Sequence, residues 1–341
     1  MKKIFTVISI LVALLYGCST DFDVIAPYKE IMVVDGLLNA IDSIQYVKIS
    51  KAYLGEGNAY VMAQVSDSIN YANILDVKMD RIHNGAVVET FNLDRLDTNK
   101  KVPGTFANPG QVFYTTSHPI LQDGSEYKIN VTNTETGVVA TSQTKIVKDV
   151  IVLTPSPSPN NPNRDSVDFA TFGGESPVTV RFNPGENSRI FDVIVRFRYR
   201  EIDPIGVSSE KFVEWTLSDQ NYAVPPSEIT FKFIKNDFYQ NVGAQVPDKP
   251  GYIRRIDLLE NNLRPVEYVI VEGTENLQTY YQLHQPTTGI VQELPTFTTV
   301  QNGLGLFTSR LVRTLHYCPN EVTQAAFDTS KYTKTKNFQF D

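Results

Sequence analysis

From Phe191 to Arg200 the chain alternates without a break. Phe191, Val193, Val195, Phe197 and Tyr199 share one parity, and Asp192, Ile194, Arg196, Arg198 and Arg200 share the other. A period of two puts these sets on opposite faces of an extended strand; a helical period would mix them. Shorter versions recur. Val47 and Ile49 alternate with Lys48 and Ser50. Leu75, Val77 and Met79 alternate with Asp76, Lys78 and Asp80, and Tyr127, Ile129 and Val131 with Lys128, Asn130 and Thr132. Ile31 to Val34 reads as a buried apolar strand that ends in a turn at Asp35-Gly36. Asn84-Gly85 suits a two-residue hairpin because both residues tolerate positive φ. Val87, Phe91 and Leu93 continue the return strand, and the Gly- and Pro-containing stretch from Asp97 to Gly110 reads as a long exposed loop. Several short alternating strands divided by turn signals predict a mainly β chain, with an immunoglobulin-like or transthyretin-like β-sandwich over residues 31–150.

The run from Thr154 to Asn163 carries Pro155, Pro157, Pro159 and Pro162 among small polar residues. No strand or helix interior accepts that spacing, so 151–165 reads as a linker. Residues 166–341 then form a second β-sandwich with helical insertions. Val178 to Phe182 and the Phe191 stretch open it, and Val213, Trp215 and Leu217 form the next inward row. Ser227 follows Pro225-Pro226 as a helix cap, and Ile229, Phe233, Ile234, Phe238 and Val242 recur at helical spacing up to Gly243. Tyr268 to Val271 reads as a buried strand. Thr274 is the expected cap of a helix through Leu277, Tyr280, Tyr281 and Leu283. Leu304 to Tyr317 is a long strand region, and Asn320 caps a last helical turn through Phe327. No repeat at a fixed period is visible.

The amino end sets a location. Lys2-Lys3 precede an apolar run from Ile4 to Tyr16, too short for a spanning helix of about 20 residues. Leu15-Tyr16-Gly17-Cys18 resembles a bacterial lipobox, with 1–17 as the signal peptide, Cys18 as the lipidated residue and 18–30 as an acidic tether. Ser19, Thr20, Asp21, Phe22 and Asp23 resemble the surface-export tract of Bacteroidota lipoproteins. Lipid on Cys18 leaves no second cysteine for an intramolecular disulfide, and Cys318 reads as a small buried apolar side chain near a strand end. No later run approaches spanning length.

Charge and motif content exclude much chemistry. The net charge is −7, and removing Lys2 and Lys3 leaves 29 of the 31 basic residues against 38 acidic ones, a poor balance for nucleic acid. His83, His118, His284 and His316 have no partner at metal-ligand spacing, and no nucleophile elbow, Walker loop or dinucleotide fingerprint occurs. No cofactor, metal site or catalytic residue is assigned. Gly303-Leu304-Gly305 reads as a tight turn or bulge, not a phosphate cradle. Arg196, Arg198 and Arg200 read as a solvated face paired with acidic neighbours. Aromatic side chains remain, because Tyr and Trp present an apolar face with a polar edge. Trp215, Tyr222, Tyr239, Tyr280 and Tyr281 are the candidates for ligand or partner contacts, with Trp215 favouring the core by its parity.

Three segments together resemble a family. Val33-Val34-Asp35-Gly36, the Tyr127 to Val131 strand with Gly137, and Tyr280-Tyr281 followed by Gln301-Asn302-Gly303-Leu304-Gly305-Leu306-Phe307 are similar to the uncharacterised surface lipoproteins of Bacteroidota often encoded beside TonB-dependent transporters. Val300-Gln301 departs from the Asn-Ile common there. Asp42-Ser43-Ile44, Asp67-Ser68-Ile69 and Asp165-Ser166-Val167 resemble O-glycosylation sites of the same phylum. The resemblance implies a sandwich followed by a fibronectin-III-like domain with inserted helices, and no catalytic residues. The expectation is a non-enzymatic outer-membrane protein, anchored through Cys18 and facing the exterior. It would serve as an accessory or assembly subunit of a TonB-dependent transporter or other outer-membrane complex. The alternative is capture of a glycan or peptide by exposed aromatic residues.

Overall fold

The computed structural model describes residues 29–52, 58–108, 110–116, 121–122, 124–156, 166–170, 175–217, 220–258, 264–284 and 296–341. The first half holds strands β1 (Met32–Leu38), β2 (Gln45–Lys51), β3 (Leu75–His83), β4 (Ala86–Asn92), β5 (Asp94–Thr98), β6 (Gln111–Thr116), β7 (Glu126–Asn133) and β8 (Val139–Lys145), with helices α1 (Ala59–Ala63) and α2 (Ser66–Ile69). Then come β9 (Ile151–Thr154), β10 (Ser166–Val167), β11 (Pro177–Asn183), β12 (Ile190–Ile202), β13 (Ser208–Thr216), β14 (Gln220–Asn221) and β15 (Ile229–Ile234), which leads into α3 (Lys235–Gln245). The last part holds β16 (Ile253–Ile256), β17 (Val266–Gly273), α4 (Glu275–His284), β18 (Gly303–Leu304), β19 (Phe307–Pro319), α5 (Glu321–Thr329) and β20 (Phe338–Phe340). The chain is mainly β, with several sheets and none of them closed.

One long sheet runs β5–β6–β2–β1–β19–β17–β12. At its far end β12 pairs with β13 and β14 on one edge, and β16 continues beyond β17 on the other. Two smaller sheets lie against it, β4–β3–β7–β8 and β15–β11–β9. The first core joins inward residues of β1, β2 and β6, such as Val34, Val47 and Tyr114, to Met79, Ile129 and Val131 of the four-stranded sheet. The second joins Phe191, Val195, Phe197 and Tyr268 to Phe182 and Phe231 of the three-stranded sheet, with Phe238 of α3, Phe327 of α5 and Phe338 of β20. The result is sandwich-like in both halves, with one sheet shared between them.

That sharing crosses the sequence boundary. β1 pairs in parallel with β18 and β19, with Met32 opposite Gly303 and Gly36 opposite Phe307. Val300 and Phe307 belong to the first core although they follow the proline-rich segment by well over a hundred residues. The first four residues of the segment read as a linker, Ile151–Thr154, are strand β9, laddered to β11; residues 157–165 lie outside the described set.

Two local readings are corrected. Asp35-Gly36 is not a turn: β1 continues to Leu38, because Gly36 leaves room beneath the Phe307 ring, where a Cβ would stand 2.8 Å from Cδ2. The helix expected from Ile229 starts at Lys235. Ile229, Phe231 and Phe233 are buried while Thr230 and Lys232 are less so, a period of two that the coincident i, i+4 spacing of Ile229 and Phe233 disguised. Asp237 then caps α3, accepting from Ile234 N at 3.1 Å. Other features stand as read. Asn84 and Gly85 both take positive φ between β3 and β4, and Asn320 Oδ1 caps α5 by accepting from Thr323 N at 2.9 Å. Among the described residues no helix is long and apolar enough to cross a membrane.

The arginine face of β12 is paired. Arg196 bonds Glu214 and Glu267, both at 2.9 Å, and Arg198 bonds Glu267. Arg200 reaches Asp257 at 2.7 Å and Glu210 at 3.3 Å. Cross-strand acids therefore occupy these guanidinium groups, as the alternation implied.

Candidate functional site: an aromatic groove on the outer sheet face

Inward residues of β1, β2 and β6 fill the first core, so their opposite parity makes an outer face: Asp35 and Leu37 on β1, Tyr46 and Lys48 on β2, Phe113 on β6. Helix α4 is laid on the same face of the sheet. Its seat is Gly273, the last residue of β17, where a Cβ would stand 2.6 Å from Leu277 and 2.8 Å from Ile190. Without that Cβ, Leu277 is buried on the sheet. Tyr280 and Tyr281 follow it at i+3 and i+4 and share its side of the helix.

Between the helix and the strands lies an open groove of about 520 Å³. Leu277, Tyr280 and Tyr281 form one wall; Leu37, Tyr46 and Phe113 belong to the strand side. Tyr46 and Phe113 meet edge to face at 6.0 Å, and Tyr280 and Tyr281 lie 6.2 Å apart. His284 stacks on Tyr280 at 4.1 Å, with Nδ1 2.7 Å from the Tyr280 carbonyl one turn back, which fixes that ring on the helix. The apolar groups stay open to solvent, at 36% for Leu37, 48% for Tyr46 and 41% for Tyr281. Ile41, Ile44 and Leu96 extend the exposed apolar set nearby in the chain and across the sheet.

The polar edge is built from both signs of charge. Asp35 accepts from Leu306 N at 3.2 Å, which ties the groove floor to the segment before β19. Lys48 and Arg310 bring cations, and Asp42 a second carboxylate. Buried Gln45 shapes the loop between β1 and β2: its Nε2 donates to the carbonyls of Asn39 and Asp42 at 2.9 and 3.1 Å, and its Oε1 accepts from Asn39 N at 3.0 Å. That clamp sets Ile44 on the groove.

The sequence candidates separate. Tyr280 and Tyr281 line the groove together. Trp215 does not; it is half-buried against Phe238 at 5.9 Å in the second core. Tyr222 also packs on that core, against Phe191. Tyr239 is corrected to a core residue. Its ring is closed in by Phe238 and Phe327, its hydroxyl donates to the Thr323 carbonyl at 3.1 Å, and burial pushes its phenol far above the usual range, so nothing from outside reaches it. Cys18 and the tract Ser19, Thr20, Asp21, Phe22 and Asp23 lie outside the described residues, as does His118.

Tyr46 and Phe113 were not among the candidates. The parity of Val47 and Ile49 already set Tyr46 outward beside Lys48. Phe113 had no such signal, because β6 is short and follows a long irregular stretch. Among the described residues no group of three His, Cys, Asp or Glu side chains is placed to hold a metal ion. A scan against models of protein families finds no match, and a search of curated proteins finds none either.

Proposed function

We propose that this chain is a non-enzymatic surface protein, held on the outer membrane by lipid on Cys18 and facing the exterior. In this reading it docks through the α4 groove onto an outer-membrane protein, as an accessory or assembly subunit of a TonB-dependent transporter or similar complex. The observation that carries it is the groove itself. It has an aromatic centre of exposed Tyr46 and Tyr281 with half-buried Phe113 and Tyr280, a rim of Asp35, Asp42, Lys48 and Arg310, and exposed apolar neighbours beyond its walls. Aromatic residues at the centre with charges at the edge are the composition of a protein–protein contact. Isolated exposed apolar residues need no explanation, but a contiguous set does. The sandwich-like halves support the finer assignment of an immunoglobulin- or transthyretin-like first unit and a fibronectin-III-like second one.

A second reading has one observation in its favour. The groove is concave, and its volume lies in the range of small-ligand sites, roughly 300–1,000 Å³. A glycan ring or an extended peptide can lie on the tyrosine faces in such a trough.

The test is purification from native outer membranes of the full chain against a Tyr46→Asp, Tyr281→Asp variant. A membrane protein recovered in fixed ratio with wild type and lost with the variant supports docking through the groove. Equal recovery with both refutes it. A folded, partner-free chain that retains a soluble glycan or peptide instead favours the second reading. In the same fractions Cys18→Ala should leave the membrane and stay folded, because one acyl chain contributes about 0.8 kcal/mol per buried CH₂ and the domains do not depend on it. Retention of that variant on the membrane would refute the anchor.

A further inference from the structure

On the inward face of the shared sheet, one residue before the helix seat Gly273, is a carboxyl group that the groove does not use. Glu272 of β17 points into the interior and is fully buried. Its Oε2 accepts from Gly185 N at 2.9 Å, with the Ser188 hydroxyl beside it. Its Oε1 has no hydrogen-bond partner among the described residues. Among the described residues the nearby cations are engaged elsewhere: Lys148 by Glu186 at 2.8 Å, and Arg313 by Asp149 at 2.7 Å. Arg189 donates to the Ser188 carbonyl, and the nearby Asp149 charge works against a second negative charge.

What Glu272 holds is the junction between the halves. The 184–188 turn, pinned by Gly185, in turn grips the connector that leaves β8. Asn187 Nδ2 donates to the Ile146 carbonyl at 2.9 Å, and Lys148 N donates to the Glu186 carbonyl at 3.2 Å. Gly185 packs so closely that a Cβ would stand 2.0 Å from the Lys148 carbonyl oxygen. On the far side Val147 N donates to Ser309 Oγ, which itself donates to the Leu38 carbonyl of β1.

We propose that Glu272 is a proton-held latch: in its neutral form it keeps the 184–188 turn and the 146–150 connector on the shared sheet, and loss of the proton frees both. A buried carboxylate without a cation is costly, and the local remedy is for the turn to lift and admit water. Burial, with the Asp149 charge adding to it, pushes the Glu272 carboxyl up to about 8. In an opened or unfolded chain it titrates near the ordinary value of about 4.3. The closed latch is therefore favoured in full below that value and loses its advantage as pH rises towards 8, by up to about tenfold in the opening equilibrium per pH unit.

Amide hydrogen exchange on the full chain, from pH 5 to pH 8.5 and corrected for intrinsic base catalysis, tests this. Protection at 147–150 and 185–188 should fall by up to about tenfold per pH unit relative to the β12 amides 193–197, then level off above pH 8. Glu272→Gln should remove the slope. A flat profile in wild type, or the same slope in Glu272→Gln, overturns the latch. If the Gln variant does not fold, a ¹³C titration of the wild-type glutamate carboxyls decides: a Glu272 resonance that titrates at or below the ordinary glutamate value refutes the proposal, and one raised by several units supports it.

Discussion

Gly36 lies directly under the ring of Phe307, and the two are register partners in the parallel pairing of β1 with β19. The first and the last long strand among the described residues are joined there, with Gly36 N donating to the Leu306 carbonyl at 2.9 Å. A methyl group at residue 36 has no space, since Phe307 is fully buried and Val47 closes the other side. Gly36→Ala should therefore destabilise the fold by about 1–3 kcal/mol through overpacking. Gly104→Ala is the control: nothing lies within 4 Å of a Cβ there, and the change should stay within about 0.5 kcal/mol. Urea unfolding of the two variants measures both; equal midpoints would remove Gly36 from the joint.

The charge cluster at the end of β12 gives an acid-side prediction. Glu201 and Arg254 are both buried, and Glu201 accepts from Lys249 Nζ at 2.8 Å and from Arg254 at 3.4 Å. Burial works against the charged form of Glu201, yet Lys249 and Arg254 together hold its carboxyl below the usual range. Its contribution is thus present above the ordinary value of about 4.3 and lost as pH falls through the lowered folded value. Glu201→Gln leaves Arg254 buried with less compensation and should cost on the order of 3 kcal/mol at pH 7. The gap to wild type should close as pH falls below about 4. Denaturant titrations at pH 7, 4 and 3 would show it; a gap that does not change with pH would place the effect in packing instead of charge.

Strands were legible where one face is apolar for several residues. The Phe191 to Arg200 alternation is β12, and the Tyr127 and Leu75 alternations are β7 and β3. Reading failed where two periods coincide, as at Ile229 and Phe233, and where an inward position carries no side chain, as at Gly36. In the second case local sequence looks like a turn, and only the distant Phe307 ring makes it a strand. The groove was half legible for the same reason. Tyr280 and Tyr281 announce an aromatic pair at a helix end, but their companions Tyr46 and Phe113 lie on strands far away in sequence. The shared sheet hid the rest: the 33–36 and 301–307 segments that carry the family resemblance turn out to be ladder neighbours, which no single stretch of sequence reveals.

Two tyrosines of opposite placement separate core from surface. Tyr239 Oη bridges α3 to the α5 backbone at Thr323. Tyr239→Phe should cost about 0.5–1.5 kcal/mol, since it removes one buried bond while the Thr323 carbonyl keeps its place in the α5 ladder. Tyr281→Phe, on the groove wall and partly open to water, should stay within about 0.5 kcal/mol. Thermal unfolding of the pair checks this, and a Tyr239→Phe variant as stable as wild type would show that the hydroxyl bond to Thr323 adds nothing net.

In the docking proposed for the groove, its two kinds of residue should act on different steps of association. Tyr46 and Tyr281 would supply apolar area desolvated only in the complex, so truncation should speed dissociation. Each change to Ala should weaken binding by about tenfold or more, or about 1.4 kcal/mol, which is the scale of a central contact. Lys48 and Arg310 stand at the rim, where charge steers the encounter more than it holds the complex. Lys48→Gln and Arg310→Gln should change the association rate several-fold at low salt, and the effect should shrink as ionic strength approaches the range where the Debye length is about 8 Å. Surface plasmon resonance with a membrane protein recovered in the purification test, at two salt concentrations, separates the two classes. Phe212→Ala is the reference, because Phe212 is exposed beside the β12 arginines and does not line the groove. If Phe212→Ala weakens binding as much as Tyr281→Ala, the contact lies along the β12–β13 face and not in the groove.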